Sequence, residues 1–344
     1  MGSRRYENFC HATLVLGKLG REMKNFEYFE PIDVREALDL LTERKGAVIF
    51  GGGTDLIPRM KKGLISPPSL INITLIPSLQ EIRQDQGKLK IGAAVPLVLL
   101  ERNSLLLTHY TALQKACSYV ATPAIRNIAT LGGNVCLGTK CIFAEQIQTW
   151  TRALEPCFKR GGQRCYVVRG GKTCHASLAS DTIPALIALG AMGTIASPSG
   201  EKTIPVEELF TGDGVHPLSI GYGELLTGLV VPTPPAGGRS TYLRYSLRKA
   251  IDFPLVSAGL YLEQEDGVCL NVRVVIGAVA PIPIRLSALE EGLKDKIITP
   301  DLLREWSEEA PKEALRRSRS GRIDAFLRNV MAQIVYQGLI EVSE

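Results

Sequence analysis

The sequence predicts an α+β protein, and three observations carry that reading. Strand-like and helix-like segments alternate irregularly, the apolar runs are short, and no internal repeat or regular βαβ series appears. A length of 344 residues leaves room for two or three compact units. Hydrophobic residues at 45% and charged residues at 22% are usual for a globular chain. The longest nearly uncharged apolar run, Ile183–Ala196, is 14 residues and too short to span a bilayer. The expected location is cytoplasmic, with no membrane partner.

Residues 1–22 read as a disordered N-terminal extension ahead of a second plausible start at Met23. Their apolar core, Ala12–Leu16, is too short for a secretory signal, and Tyr6 breaks the myristoylation pattern. Next comes the apolar stretch Phe26–Phe29, then a helix pattern capped by Asp33, with Ala37, Leu38, Leu40 and Leu41 as its inner face. Ala47–Phe50 reads as a strand running into Gly51-Gly52-Gly53-Thr54-Asp55-Leu56. Leu70–Ile73 and Leu89–Ile91 are further strands, and residues 105–121 are helical up to Pro123. Ile183–Gly190 reads as a helix and Met192–Ala196 as a strand. The proline- and glycine-rich Val231–Gly238 is the clearest linker. Beyond it lie strand patterns at Ser257–Leu262 and Val268–Val279, then helical patterns at Leu286–Leu293, Asp301–Glu309 and Gly321–Leu339. The expected units are therefore 23–235, with an insertion at 135–176, and 238–344.

That insertion carries Cys141, Cys157, Cys165 and Cys174 with the spacing C-x15-C-x7-C-x8-C. The gaps are too wide for the tight CxxC pairs of a zinc ribbon. Four thiolates suit a structural zinc or one [4Fe–4S] cluster, whose irons each take one sulfur. In a reducing compartment, clustered cysteines act as ligands or nucleophiles rather than disulfides. Cys136 and His175 stand close to this set as possible substitutes. Cys10, Cys117 and Cys269 read as packed or surface thiols, and Phe143 and Trp150 as a small apolar core of the insertion. Residues 135–176 hold seven Lys or Arg against two Glu, so 7 − 2 = +5, which equals the net charge of the whole chain. No aromatic platform or DNA-binding motif accompanies them, so no nucleic-acid partner is expected. A basic shell offsets thiolate charge and steers an acidic partner.

The glycine loops suggest a second cofactor. Gly51–Leu56 lacks the dinucleotide G-x-G-x-x-G spacing, but consecutive glycines let backbone N–H groups form an anion nest. Thr130-Leu131-Gly132-Gly133-Asn134 offers the same chemistry, so the two loops could grip a pyrophosphate between them. The histidines, at 11, 109, 175 and 216, are too scattered for a Ser/His/Asp or Cys/His set, and no catalytic residue is assigned.

GGGTDL and TLGGN, followed by Ser180-Asp181, the apolar PALIALGA and, further on, GAVAPIPIR at 277–285, together resemble the flavoprotein subunits of the molybdenum hydroxylases. The likeness runs from about Met23 onward. It implies a two-part FAD-binding domain of the vanillyl-alcohol-oxidase/PCMH type and a C-terminal α+β domain of the CO dehydrogenase flavoprotein type. It also implies FAD contacts from Ile49, Phe50, Gly51, Gly52, Gly53, Thr54, Asp55, Leu56, Val120, Thr130, Leu131, Gly132, Gly133, Asn134, Asp181, Leu226 and Arg244. At Arg244 many relatives carry lysine, so the charge is kept with a different shape.

Asn134 and Asp181 are separated by 46 residues (135–180), far more than in most such flavoproteins. In the position of this insertion, its Cys157-Phe158-Lys159-Arg160-Gly161-Gly162 core and its cysteine spacing, the chain is similar to the β subunits of 4-hydroxybenzoyl-CoA reductases. That resemblance implies a [4Fe–4S] cluster on Cys141, Cys157, Cys165 and Cys174. It further implies a large molybdopterin subunit, a small subunit with two [2Fe–2S] clusters, a dimer of heterotrimers, ferredoxin as donor, and dehydroxylation of 4-hydroxybenzoyl-CoA to benzoyl-CoA on another subunit. The alternatives are an oxidative molybdenum hydroxylase of xanthine or another aromatic substrate, and a non-enzymatic metal-binding module.

Overall fold

Three sheets of short and medium strands, each with its own helical cover, organise the computed structural model, which describes residues 4–6, 23–318 and 323–344. The first sheet contains β1 (Arg4–Tyr6), β2 (Glu27–Glu30), β3 (Val48–Phe50) and β4 (Ser69–Asn72) in the order β1-β2-β4-β3. β4 pairs parallel with both β2 and β3, while β1 adds antiparallel to β2. Within the expected extension, Arg4–Tyr6 supplies an edge strand. The rest of 1–22, including Cys10, lies outside the described residues. The helix Val34–Glu43 crosses between β2 and β3 and buries Ala37, Leu38, Leu40 and Leu41, the face its sequence spacing predicts. Asp33 caps it, accepting from the Glu36 N–H at 2.8 Å.

The second sheet is wholly antiparallel. It contains β5 (Ile82–Asp85), β6 (Lys88–Gly92), β7 (Met192–Ser197), β8 (Gly200–Pro205) and β9 (Leu225–Pro232) in the order β5-β6-β9-β7-β8. The third is a meander of β10 (Gly238–Tyr245), β11 (Val256–Glu265), β12 (Val268–Gly277) and β13 (Ile284–Arg285). The helices Pro300–Ser318 and Ala325–Ser343 pack with it, around Leu260, Val274, Ile276, Ala310, Met331 and Val335. The helix Thr182–Ala188, buried at every residue, seats Pro184 against Gly259 and Gly277 of β11 and β12, where a Cβ would collide with it. It thereby joins the meander to the core that the second sheet builds.

The structure changes several expected boundaries. Residues 105–121 form two helices, Ser104–His109 and Thr111–Tyr119, broken where buried Tyr110 leaves helical geometry and reaches Thr233 with its hydroxyl at 3.0 Å. Pro123 opens a further turn, Pro123–Arg126, as its first residue. The pattern expected over Asp301–Glu309 continues to Ser318 through Pro311. Of the linker, Val231 and Pro232 belong to β9 and Gly238 to β10, leaving Thr233–Gly237 between them. Among the described residues no helix is long and apolar enough to cross a membrane.

Candidate functional site

The two glycine loops meet although 79 positions separate their contact residues. Thr130 donates its hydroxyl to the Gly51 carbonyl at 2.8 Å and accepts from the Gly133 N–H at 3.2 Å. Gly52 and Gly53 have left-handed φ of 102° and 71°, and a Cβ on Gly52 would stand 2.1 Å from the Ile128 carbonyl oxygen. The loops differ in what they leave free. In the second, which starts the short helix Leu131–Val135, the N–H groups of Leu131, Gly132, Gly133 and Asn134 donate to Val95, Ala93, Thr130 Oγ1 and Thr130 O. In the first, among the described residues, the N–H groups of Gly52, Gly53 and Thr54 meet no protein acceptor. The anion-binding capacity therefore sits on the first loop, and the second braces it.

Asn134 ties this brace to the Ser180-Asp181 pair. Its Oδ1 accepts from Ser180 Oγ and Thr182 Oγ1, both at 2.7 Å, and from the Thr182 N–H at 3.3 Å. Asp181 itself is buried. Strand alternation puts Tyr242 and Arg244 on one face of β10, and both reach Asp181 Oδ1, Tyr242 Oη at 2.7 Å and Arg244 Nη1 at 3.1 Å. Burial raises the Asp181 carboxyl above the usual carboxylate range, with Arg244 and Tyr242 pulling the other way. Arg244 lies 5.2 Å from the Tyr119 ring centroid, its side chain is 3% exposed, and its Nη2 has no protein partner. A buried guanidinium N–H without a partner is costly, so this atom suits a polar group supplied by a ligand. Val120 is half-buried beside Tyr119, and Leu226 is buried on β9 opposite Ile195. Ile49 and Phe50, half-buried on β3, deliver the chain into the first loop.

The four cysteines converge. Cys141, Cys157, Cys165 and Cys174 line one cavity with Phe143, Lys159, Arg164 and Tyr166. The Ala144 N–H donates to the Cys141 carbonyl at 3.0 Å, and the N–H groups of Phe143 and Ala144 beside the Cys141 thiol and of Ala176 beside the Cys174 thiol pull the thiols toward the thiolate. Such donors favour thiolate ligands, while burial holds both free thiols above their ordinary value. Among the described residues, no three His, Cys, Asp or Glu side chains come close enough to share a single metal ion. Cys136 does not line the cavity, and burial pushes its thiol up to about 12. Cys117 and Cys269 are buried. Phe143 stacks on Tyr166 at 5.5 Å and approaches Trp150 at 6.3 Å, but Trp150 is 42% exposed and the other two are half-buried, so these rings form a surface cluster rather than the expected apolar core.

The basic shell divides in two. Lys159 bonds to Thr139 O and Oγ1 and lines the cysteine cavity; burial lowers its ammonium, which Glu145 and Cys174 counteract. Arg160 donates to Thr151 O at 2.7 Å. Arg152, Arg164, Arg169 and Lys172 are exposed. Sequence reasoning missed Tyr242, Lys140, Arg59 and Glu145, whose partners are distant in the chain. The adjacency of Lys140 to Cys141 and the Tyr242-x-Arg244 alternation were the available signals.

Paired glycine loops between two small sheets, followed by a helix-covered antiparallel sheet that presents Tyr242 and Arg244 to Asp181, define the class of α+β protein. Residues 24–234 match the family described as FAD binding domain in molybdopterin dehydrogenase, and residues 241–342 match the CO dehydrogenase flavoprotein C-terminal domain. The chain belongs to the FAD-binding subunits of the xanthine dehydrogenase/CO dehydrogenase family of molybdenum hydroxylases. It is 25% identical over 285 residues to the nicotinate dehydrogenase FAD-subunit of Eubacterium barkeri, covering 82% of this chain and 83% of that protein. It is 30% identical over 288 residues to the aldehyde oxidoreductase FAD-binding subunit PaoB of Escherichia coli K12, covering 79% and 86%. Its fold superimposes on a carbon monoxide dehydrogenase chain from Hydrogenophaga pseudoflava with a TM-score of 0.74 at 23% identity, over 93% and 98% of the two chains.

Proposed function

We propose that this chain is an electron-transfer subunit that holds FAD on its glycine loops and a [4Fe–4S] cluster on Cys141, Cys157, Cys165 and Cys174. FAD exchanges electrons singly or in pairs, and an iron–sulfur cluster singly, so a subunit with both can connect a one-electron donor to two-electron chemistry elsewhere. The free N–H groups of Gly52, Gly53 and Thr54 would take the pyrophosphate, with Thr130, Leu131, Gly132, Gly133 and Asn134 fixing their geometry. Ile49, Phe50, Asp55, Leu56, Val120 and Leu226 would flank the cofactor. Arg244 Nη2 would donate to it, and Asp181 would hold Arg244 in place. Four cysteines lining one cavity, with a C-x15-C-x7-C-x8-C spacing that lacks the tight CxxC pairs of a zinc ribbon, support a cluster over zinc.

The cysteine cavity carries the choice of reaction. By resemblance, partners with molybdopterin and two [2Fe–2S] clusters complete a dimer of heterotrimers, and ferredoxin supplies electrons for reductive dehydroxylation of 4-hydroxybenzoyl-CoA. The relatives named as nicotinate and xanthine dehydrogenases favour a second reading, an oxidative molybdenum hydroxylase in which the cluster is an added relay.

The exposed basic residues give the test. Lys159 and Arg160 are engaged within the insertion, so charge reversal belongs at Arg169 and Lys172. Arg169→Glu with Lys172→Glu should slow reduction by ferredoxin and flatten its salt dependence, with iron and flavin contents unchanged. Unaltered rate and salt slope would remove the insertion as the donor's docking face.

A further inference from the structure

A ring of interactions connects the cysteine cavity to the first glycine loop. The insertion's neck is a pair of backbone bonds, the Lys140 N–H to Ser177 O at 2.7 Å and the Ser177 N–H to Lys140 O at 3.0 Å. Cys141 and Cys174 lie one and three residues inside it. From that neck the Lys140 ammonium, with 13% of its side chain exposed, pairs with Asp55 Oδ1 at the end of the glycine nest. Asp55 Oδ2 lies 4.0 Å from Arg59 Nη1, Arg59 Nε lies 3.5 Å from Glu145 Oε2, and the Glu145 N–H donates to Cys141 O at 3.0 Å. The ring therefore closes on a cysteine of the cavity. Its side chains are largely shielded, so salt weakens it less than a surface pair.

We propose that Lys140 is a positioning residue that couples the two cofactor sites, so that filling either one raises affinity at the other. The inference rests on the reading above, that the first loop takes FAD and the cysteines take a cluster. Fixing a glycine loop costs conformational entropy, and a clamp already in place lowers that cost when a ligand arrives. A cluster that orders Cys141 and Cys174 fixes the neck, the neck fixes Lys140, and Lys140 fixes Asp55 beside the nest. Linkage requires the reverse effect to be equal.

The test uses the full chain under anaerobic conditions. FAD is titrated into deflavinated protein, with iron retained or removed by a chelator, for the natural chain, Lys140→Met and Lys140→Arg. Iron removal should weaken FAD binding by at least about fivefold in the natural chain and in Lys140→Arg, and by less than about twofold in Lys140→Met. FAD should shift the iron equilibrium with a competing chelator by the same factor in the first two proteins only. Circular dichroism of Lys140→Met should match the natural chain. Equal coupling in Lys140→Met, or none in the natural chain, would overturn the inference while leaving the cofactor reading intact. Failure of the natural chain to take up FAD or iron would overturn that reading and this inference with it.

Discussion

Thr130 makes two bonds with one hydroxyl, donating to Gly51 O and accepting from the Gly133 N–H, and so holds the two glycine loops together. Thr130→Val keeps the shape and removes both bonds, leaving the half-buried Gly51 carbonyl and the exposed Gly133 N–H without their protein partner. We expect a loss of about 0.5–1.5 kcal/mol in unfolding free energy and reduced FAD content, with Thr130→Ser restoring both. Denaturant unfolding with flavin analysis checks this, and an unchanged midpoint with full flavin would contradict the brace. Thr130 and the glycines were legible as motif residues. Their division of labour was not, because it depends on which N–H groups find partners far away in sequence. For the same reason a bulky substitution at Gly52 tests packing against Ile128 O before it tests the cofactor.

The element that shapes the cysteine cavity, the proposed cluster site, is the turn from Cys157 to Cys165. The short helix Phe158–Arg160 ends at Gly161, and the Gly162 N–H returns to Cys157 O at 2.9 Å. A Cβ on Gly162 would stand 1.7 Å from Pro156 O, so even alanine forces the turn open. Gly162→Ala should therefore abolish iron binding while far-UV circular dichroism shows the helices retained. Normal iron content in that variant would refute the geometry. Elements with strong local patterns, such as Val34–Glu43 and Thr182–Ala188, were readable from sequence. The break at Tyr110 was not, since a buried hydroxyl bonding to Thr233 overrides a continuous helical pattern. Strand β8, with exposed Glu201 and Lys202, has too little apolar signal to announce itself and is fixed by pairing with β7.

At the scale of the molecule, the architecture matters because it brings three remote stretches to one place. The loop after β3, the brace at Thr130–Asn134 and the face of β10 that carries Tyr242 and Arg244 meet around Asp181 and Asn134, and the insertion docks on the first of them through Lys140. The family was legible because its glycine and Ser-Asp motifs are local. The docking was not, because its ion pairs join residues 85 and 86 positions apart, Asp55 to Lys140 and Arg59 to Glu145, with no local pattern to mark them. The most direct test of the account is iron and flavin analysis of the anaerobically purified chain with electron paramagnetic resonance of its reduced form. The account predicts one FAD and about four irons per chain, with a signal lost when any of Cys141, Cys157, Cys165 or Cys174 becomes Ser and kept in Cys136→Ser. One equivalent of zinc without iron, or iron that survives loss of those cysteines, would contradict it.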